Sequence, residues 1–124
     1  MRTAVIGGGS WGTALASVLA KKGPVRLWAR CAELASGINE TRRNPRYQTD
    51  IELPANIEST AELAYAIRGA ELVCVVVPSH AMRDVMSEAA EYLSPGVPLV
   101  SASKGIENQT LMTMEEVLTE VLPI

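Results

Sequence analysis

The 124-residue sequence predicts an α/β protein built on a doubly wound parallel sheet. Three observations carry this. Short apolar runs alternate with helix-length amphipathic segments along the chain. The run LVCVVV at 72–77 is apolar at consecutive positions, so both its faces need cover, as in the middle of a parallel sheet. Near the amino terminus, GGGSWG at 7–12 separates a strand-like run from a helix-like one.

Residues 3–6 form the first strand. A helix follows over 11–22, where Leu15, Val18 and Leu19 share a face and the alanines permit close packing. Lys21 and Lys22 complement its negative end, Gly23 suits a left-handed cap, and Pro24 prevents continuation. Residues 25–29 are the second strand, and 31–40 a helix with Leu34 and Ile38 four apart. The polar stretch 41–56, holding Pro45 and Pro54, is a long loop, and such loops often carry function. A short edge strand lies near Ile57, and a helix over 61–68 ends at Gly69. The strand 71–77 stops at Pro78, and a helix over 81–93 turns Met82, Val85, Met86, Ala89 and Leu93 inward. After the turn SPG at 94–96 come a strand over 98–102 and a helix over 111–122. Parallel strands joined by helices imply right-handed crossovers and the spatial order 3-2-1-4-5. Such a sheet normally continues to a sixth strand, so residues 1–124 read as one domain, incomplete at its C-terminal end and expected to be a fragment.

Apolar residues make up 48% of the chain and charged ones 20%, enough for a real core in a folded domain. The net charge of −3 argues against nucleic acid as the main partner. No signal-peptide pattern is visible, and no apolar run reaches the roughly 20 residues of a membrane span. Cys31 and Cys74 form no metal or redox motif, so no metal is expected, and the setting reads as reducing and cytoplasmic.

The glycines at 7–12 fit G-x-G-x-x-G, with a strand before, a helix after and a second strand ending about twenty residues on. This makes the fold a Rossmann-type sheet. Gly7 permits the tight turn, Gly9 has no side chain to hold a pyrophosphate away, and Gly12 lets the helix approach the strand. Amides near Ser10 and Trp11 are the expected phosphate donors, aided by the helix dipole. NAD-binding domains usually end the second strand with Asp or Glu, but here Arg30 takes that place and the first acid is Glu33. A guanidinium matches a phosphate, so Arg30 is expected to meet the adenosine 2′-phosphate of NADP or to stack on adenine. The cofactor is therefore NADP or NAD, with NADP favoured. The bland alternative is a solvated arginine at a strand end.

Ser79 follows the strand end at Pro78 and is expected to cap the next helix rather than to act in catalysis. His80, the only histidine, has no evident carboxylate partner and is not read as a general base. Lys104 stands after the next strand, before the flexible Gly105, where an ammonium would face the cofactor crevice and could bind a substrate phosphate or polarise a carbonyl.

Taken together, GGGSWGTALA, LWAR, IN at 38–39, NPRY, LPANI, VVVPSHAMR and SASKGIE follow in order over essentially the whole chain. This resembles the N-terminal domain of bacterial-type NAD(P)-dependent glycerol-3-phosphate dehydrogenase. The resemblance implies reversible hydride transfer between a nicotinamide cofactor and dihydroxyacetone phosphate, giving sn-glycerol 3-phosphate for phospholipid synthesis. It also implies that Ser10, Trp11 and Arg30 contact the cofactor, that Tyr47 lies by the adenosine, and that Lys104 touches substrate and cofactor. Cys31 occupies a place where the family often has another cofactor contact. After Tyr47 the family usually continues Leu-Pro-Gly, whereas this chain has Gln48, Thr49 and Asp50. By the same resemblance the proton-transferring lysine and the substrate-phosphate residues belong to a helical C-terminal domain. No catalytic residue is therefore expected here, and the isolated chain should bind dinucleotide weakly and turn over negligibly. The expected partners are the dinucleotide, a small phosphorylated substrate and, in a homodimer, a second copy. Two rival readings are a ketopantoate or β-hydroxyacid-type reductase, not expected to carry SKGIE, and a non-catalytic dinucleotide-binding module. A downstream reading frame with a helical continuation and a suitably placed lysine would favour the enzyme.

Overall fold

The computed structural model describes residues 1–46, 52–103, 105, 107–108 and 110–122. The strands are β1 (Thr3–Ile6), β2 (Val25–Trp28), β3 (Ile57–Thr60), β4 (Leu72–Val75) and β5 (Leu99–Ser101). The helices are α1 (Ser10–Leu19), α2 (Ala32–Thr41), α3 (Leu63–Ile67), α4 (Met82–Ala89) and α5 (Met114–Val121). All strand pairs are parallel and the order is β3-β2-β1-β4-β5, as the sequence predicts.

Alternation along the strands divides the core in two. Val5, Val25, Leu27, Ile57 and Cys74 pack with Ala16, Leu34 and Ile38 from α1 and α2. Ala4, Ile6, Val73, Val75 and Val77 pack on the other face with Ala66, Met82, Met86 and Val117 from α3, α4 and α5. The run LVCVVV thus feeds both layers in turn, which is why it lacks polar positions. Complete burial of a side chain such as Met86 stabilises the fold by about 2 kcal/mol. Burial also pushes the Cys74 thiol pKa above its ordinary value.

Several boundaries differ from those the sequence predicts. The first helix ends at Leu19, with Lys21 and Lys22 beyond its last turn. Asn56 explains the early stop: its Nδ2 donates to the carbonyls of Ala20 at 2.7 Å and Gly23 at 3.1 Å. Gly23 is not a left-handed cap; its φ is +154°, and a Cβ there would lie 2.3 Å from the Met1 carbonyl oxygen. The expected helix over 81–93 is an α-helix only over Met82–Ala89, with tighter 3₁₀ turns at Ser79–Ala81 and Ala90–Tyr92. The last helix starts at Met114, because Thr113 and Glu116 form a reciprocal capping box there. Leu111, at φ +60°, lies outside it.

Candidate dinucleotide cavity

A cavity of about 750 Å³ opens where β1, β2 and β4 end. Its lining brings together Gly7, Gly9, Ser10, Trp11, Gly12 and Arg30, six of the positions singled out from the sequence. Tyr47 and Lys104 lie outside the described residues.

The glycines of the motif are held by different constraints. Gly7 has φ +134°, and a Cβ on it would lie 2.6 Å from the Val76 carbonyl oxygen. Gly12 has its own constraint: a Cβ there would stand 1.8 Å from the Gly7 carbonyl oxygen. Gly9 is the N-cap of α1 in extended geometry that any residue adopts, φ −74° and ψ −174°. Nothing lies within 4 Å of where its Cβ would be. Its missing side chain keeps one wall of the cavity open rather than relieving strain. The first turn of α1 carries no acid, so its leading N–H groups and the positive end of the dipole meet the cavity uncompensated by a carboxylate.

On the second wall, Ala29 is buried and Arg30 exposed. Cys31 is the N-cap of α2 and also lines the cavity. The backbone N–H groups of Leu34 and Glu33, helped by the positive charge of Arg46, hold its thiol pKa below the ordinary value. Arg46 is a lining residue that sequence reasoning missed. The motif NPRY points to this segment, but through its tyrosine; nothing local distinguishes Arg46 from any solvated arginine. Trp11 stands on the rim, 57% exposed, while Trp28 lines the cavity from a buried position, 7% exposed.

The third wall comes from β4 and the turn at its carboxyl end. Among the described residues Ser79 makes no helix-capping hydrogen bond, contrary to expectation. The chain enters a 3₁₀ turn at this residue, and its side chain instead faces Gly105: a Cβ added at Gly105 would lie 3.3 Å from the Ser79 Oγ. His80 is exposed and lines the cavity, with no hydrogen bond to a carboxylate among the described residues.

The stretch after β5 is anchored on both sides of residue 104. The Ala102 N–H donates to the Val75 carbonyl at 2.8 Å, and the Ser103 hydroxyl to the Val77 carbonyl at 2.7 Å. Beyond it, Arg83 of α4 forks onto Glu107, Nε to Oε2 at 2.8 Å and Nη2 to Oε1 at 3.0 Å, and reaches Glu120 of α5 at 2.7 Å. Arg83, and then the Thr110 hydroxyl, hold the Glu107 carboxyl pKa below the usual carboxylate range. A depressed folded-state pKa contributes stability that is complete above the unfolded value, about 4.3, and is lost as pH falls through the folded value. Glu107→Gln is therefore expected to lower the urea midpoint at pH 7 and to flatten its decline between pH 5 and pH 3 (rough bounds from the unfolded carboxylate value). An unchanged acid slope would show that the fork does not link protonation to folding.

Among the described residues no group of His, Cys, Asp and Glu is arranged to hold a metal ion, and no helix is long and apolar enough to cross a membrane.

The sequence matches, over residues 2–124, the family described as NAD-dependent glycerol-3-phosphate dehydrogenase N-terminus. It is 50% identical to a glycerol-3-phosphate dehydrogenase [NAD(P)+] of Anaeromyxobacter dehalogenans, with 100% of this chain and 38% of that protein covered. To the enzyme of the same description in Myxococcus xanthus it is 48% identical, over 99% of this chain and 37% of the relative. The crystal structure of glycerol-3-phosphate dehydrogenase from Coxiella burnetii superposes with a TM-score of 0.91 at 28% identity, over 99% of this chain and 38% of the other. The chain thus spans well under half the length of these relatives.

Proposed function

Because the chain belongs to the NAD-dependent glycerol-3-phosphate dehydrogenase N-terminus family, we propose that it is the cofactor-binding part of an NAD(P)-dependent glycerol-3-phosphate dehydrogenase. The reaction is reversible hydride transfer between NAD(P)H and dihydroxyacetone phosphate, giving sn-glycerol 3-phosphate for phospholipid synthesis. The observation that carries this is the open face at Gly9, set against the amino end of α1 and within one cavity with Arg30. The residues fit a dinucleotide: a side chain at Gly9 would fill the cradle, and the cavity volume suits a ligand of that size.

When bound, the nicotinamide supplies and accepts the hydride. The chain's own part is to bind and orient. Amides near Ser10 and Trp11 grip the diphosphate, Gly7 and Gly12 keep the turn tight, and Arg30 takes the adenosine 2′-phosphate. Lys104, by its place in SKGIE, holds substrate beside the cofactor, and Tyr47 lies by the adenosine. The proton-transferring lysine belongs to a further helical domain, so this chain binds dinucleotide and turns over negligibly by itself. The SKGIE sequence at 103–107 sets the ketopantoate-type reading aside. A cytoplasmic setting, suited to the free thiols of Cys31 and Cys74, and a homodimer belong to the same reading.

Titration of the purified chain with NADPH and NADH, followed by Trp11 emission over the Trp28 background, tests this. Saturable binding is expected, and its absence for both cofactors overturns the reading. Arg30→Ala should weaken NADPH by about tenfold, the loss of one charge-assisted contact, and change NADH by no more than about twofold. Equal losses for the two would remove the phosphate role and leave stacking on adenine.

A further inference from the structure

The segment after α2 has no part in the cofactor contacts proposed for Ser10, Trp11 and Arg30, yet three contacts fix it in place. Arg42 ends the helix at φ 57°, and its Nη2 donates to the carbonyls of Pro54 and, at 2.9 Å, Ile57. Pro45 lies against α2 at Gly37, where a Cβ would come within 3.1 Å of its Cγ. Between them Asn44 is fully buried. Its Nδ2 donates to the Gly8 carbonyl at 2.9 Å and to the Thr13 hydroxyl at 2.8 Å, and its Oδ1 accepts from the Arg46 N–H at 3.1 Å. Both amide hydrogens are thereby used, across sequence separations of 36 and 31 residues.

A buried amide is costly unless fully paired, and an apolar side chain would serve packing as well. What an apolar residue could not do is choose the direction of a carbonyl. The Gly8–Gly9 peptide has no Cβ on either side, so its plane rotates at little steric cost. In one orientation the Gly8 carbonyl meets Asn44, and the Gly9 N–H, trans to it across the planar peptide, points the other way. In the flipped orientation that carbonyl would turn its negative end toward a bound diphosphate.

We propose that Asn44 is a positioning residue for the diphosphate: by holding the Gly8 carbonyl and the Thr13 hydroxyl it locks the glycine turn with its N–H groups toward the phosphates. This rests on the dinucleotide reading of the cavity. Arg46, next but one in the chain and tied to Asn44 through its own N–H, reaches the cavity wall by the same bracket.

The test compares two ligands on the 124-residue chain. ADP-ribose carries the diphosphate; adenosine 2′-monophosphate lacks it and reaches only the Arg30 end. Asn44→Ala is expected to weaken ADP-ribose by about tenfold or more, the effect of losing charge-assisted N–H contacts, and to change adenosine 2′-monophosphate by less than about twofold. Ile67→Val, a buried change on the other face of the sheet, should leave both affinities unchanged. Asn44→Asp, which keeps the acceptor and loses the donors, and Thr13→Val, which breaks the triangle from the helix side, give the same answer where Asn44→Ala does not fold. Equal weakening of the two ligands, or no weakening, in the folded variants overturns the proposal. Unmodified chain that fails to bind ADP-ribose overturns the dinucleotide reading and this proposal together; binding that Asn44 variants leave intact overturns this proposal alone.

Discussion

Gly12→Ala is expected to destabilise the chain by about 3 kcal/mol or more, a large share of the 5–15 kcal/mol typical of a small domain. The added methyl would stand 1.8 Å from the Gly7 carbonyl oxygen and 2.9 Å from its carbon. These are backbone atoms with no rotamer to retreat into. Gly7 has little room to yield, since a Cβ on it would already stand 2.6 Å from the Val76 carbonyl oxygen. Moving α1 outward would relieve the clash but would pull Ala16 off the sheet, where it is fully buried. Urea denaturation measures the effect. A variant whose stability stays within about 0.5 kcal/mol of the original, the usual spread of a harmless surface change, would show that the helix does not rest on the turn as described.

Gly9→Val should do the opposite: leave the fold intact and remove binding. The backbone at Gly9 is already extended, so valine enters without strain, and no atom lies within 4 Å of its Cβ. Stability should change by less than about 1 kcal/mol, because a side chain that fits the native conformation mainly restricts the unfolded chain. Its methyl groups would occupy the space through which a diphosphate reaches the amides of α1. Affinity for NADH is expected to fall by about a hundredfold or more, near the 2.7 kcal/mol that separates a gripped from an excluded charged group. Isothermal titration beside thermal melting separates the two quantities. Unimpaired binding by a stable Gly9→Val chain would place the phosphates elsewhere.

The contrast between these glycines marks how far the sequence can be read. That the motif bends a strand into a helix is legible from its flanks, and so is the strand order, because LVCVVV admits no solvent-facing side. Gly9's role as an opening is also legible. The constraint at Gly7, by contrast, comes from Val76, a residue nearly seventy positions on, which no local pattern reports. The end of α1 escapes the sequence for the same reason: Asn56 donates from across the fold to the carbonyl of Ala20, the residue that caps it. The start of α5 is legible in the T-x-x-E spacing at 113–116, yet the apolar Leu111 and Met112 draw the expected helix too early. Arg46 stays hidden because its place depends on a buried amide whose partners are Gly8 and Thr13.

The seating of Gly7 on Val76 has a thermodynamic corollary. The glycine turn takes its shape only once β4 is in the sheet, so a nucleotide that recognises the turn recognises the assembled chain and not its unfolded ensemble. Ligand and folding are then linked by mass action, and saturation at a hundredfold excess over Kd would add about 2.7 kcal/mol to the stability of the native state. Proteolysis of the chain is therefore expected to slow as dinucleotide is added, which a protease time course measures.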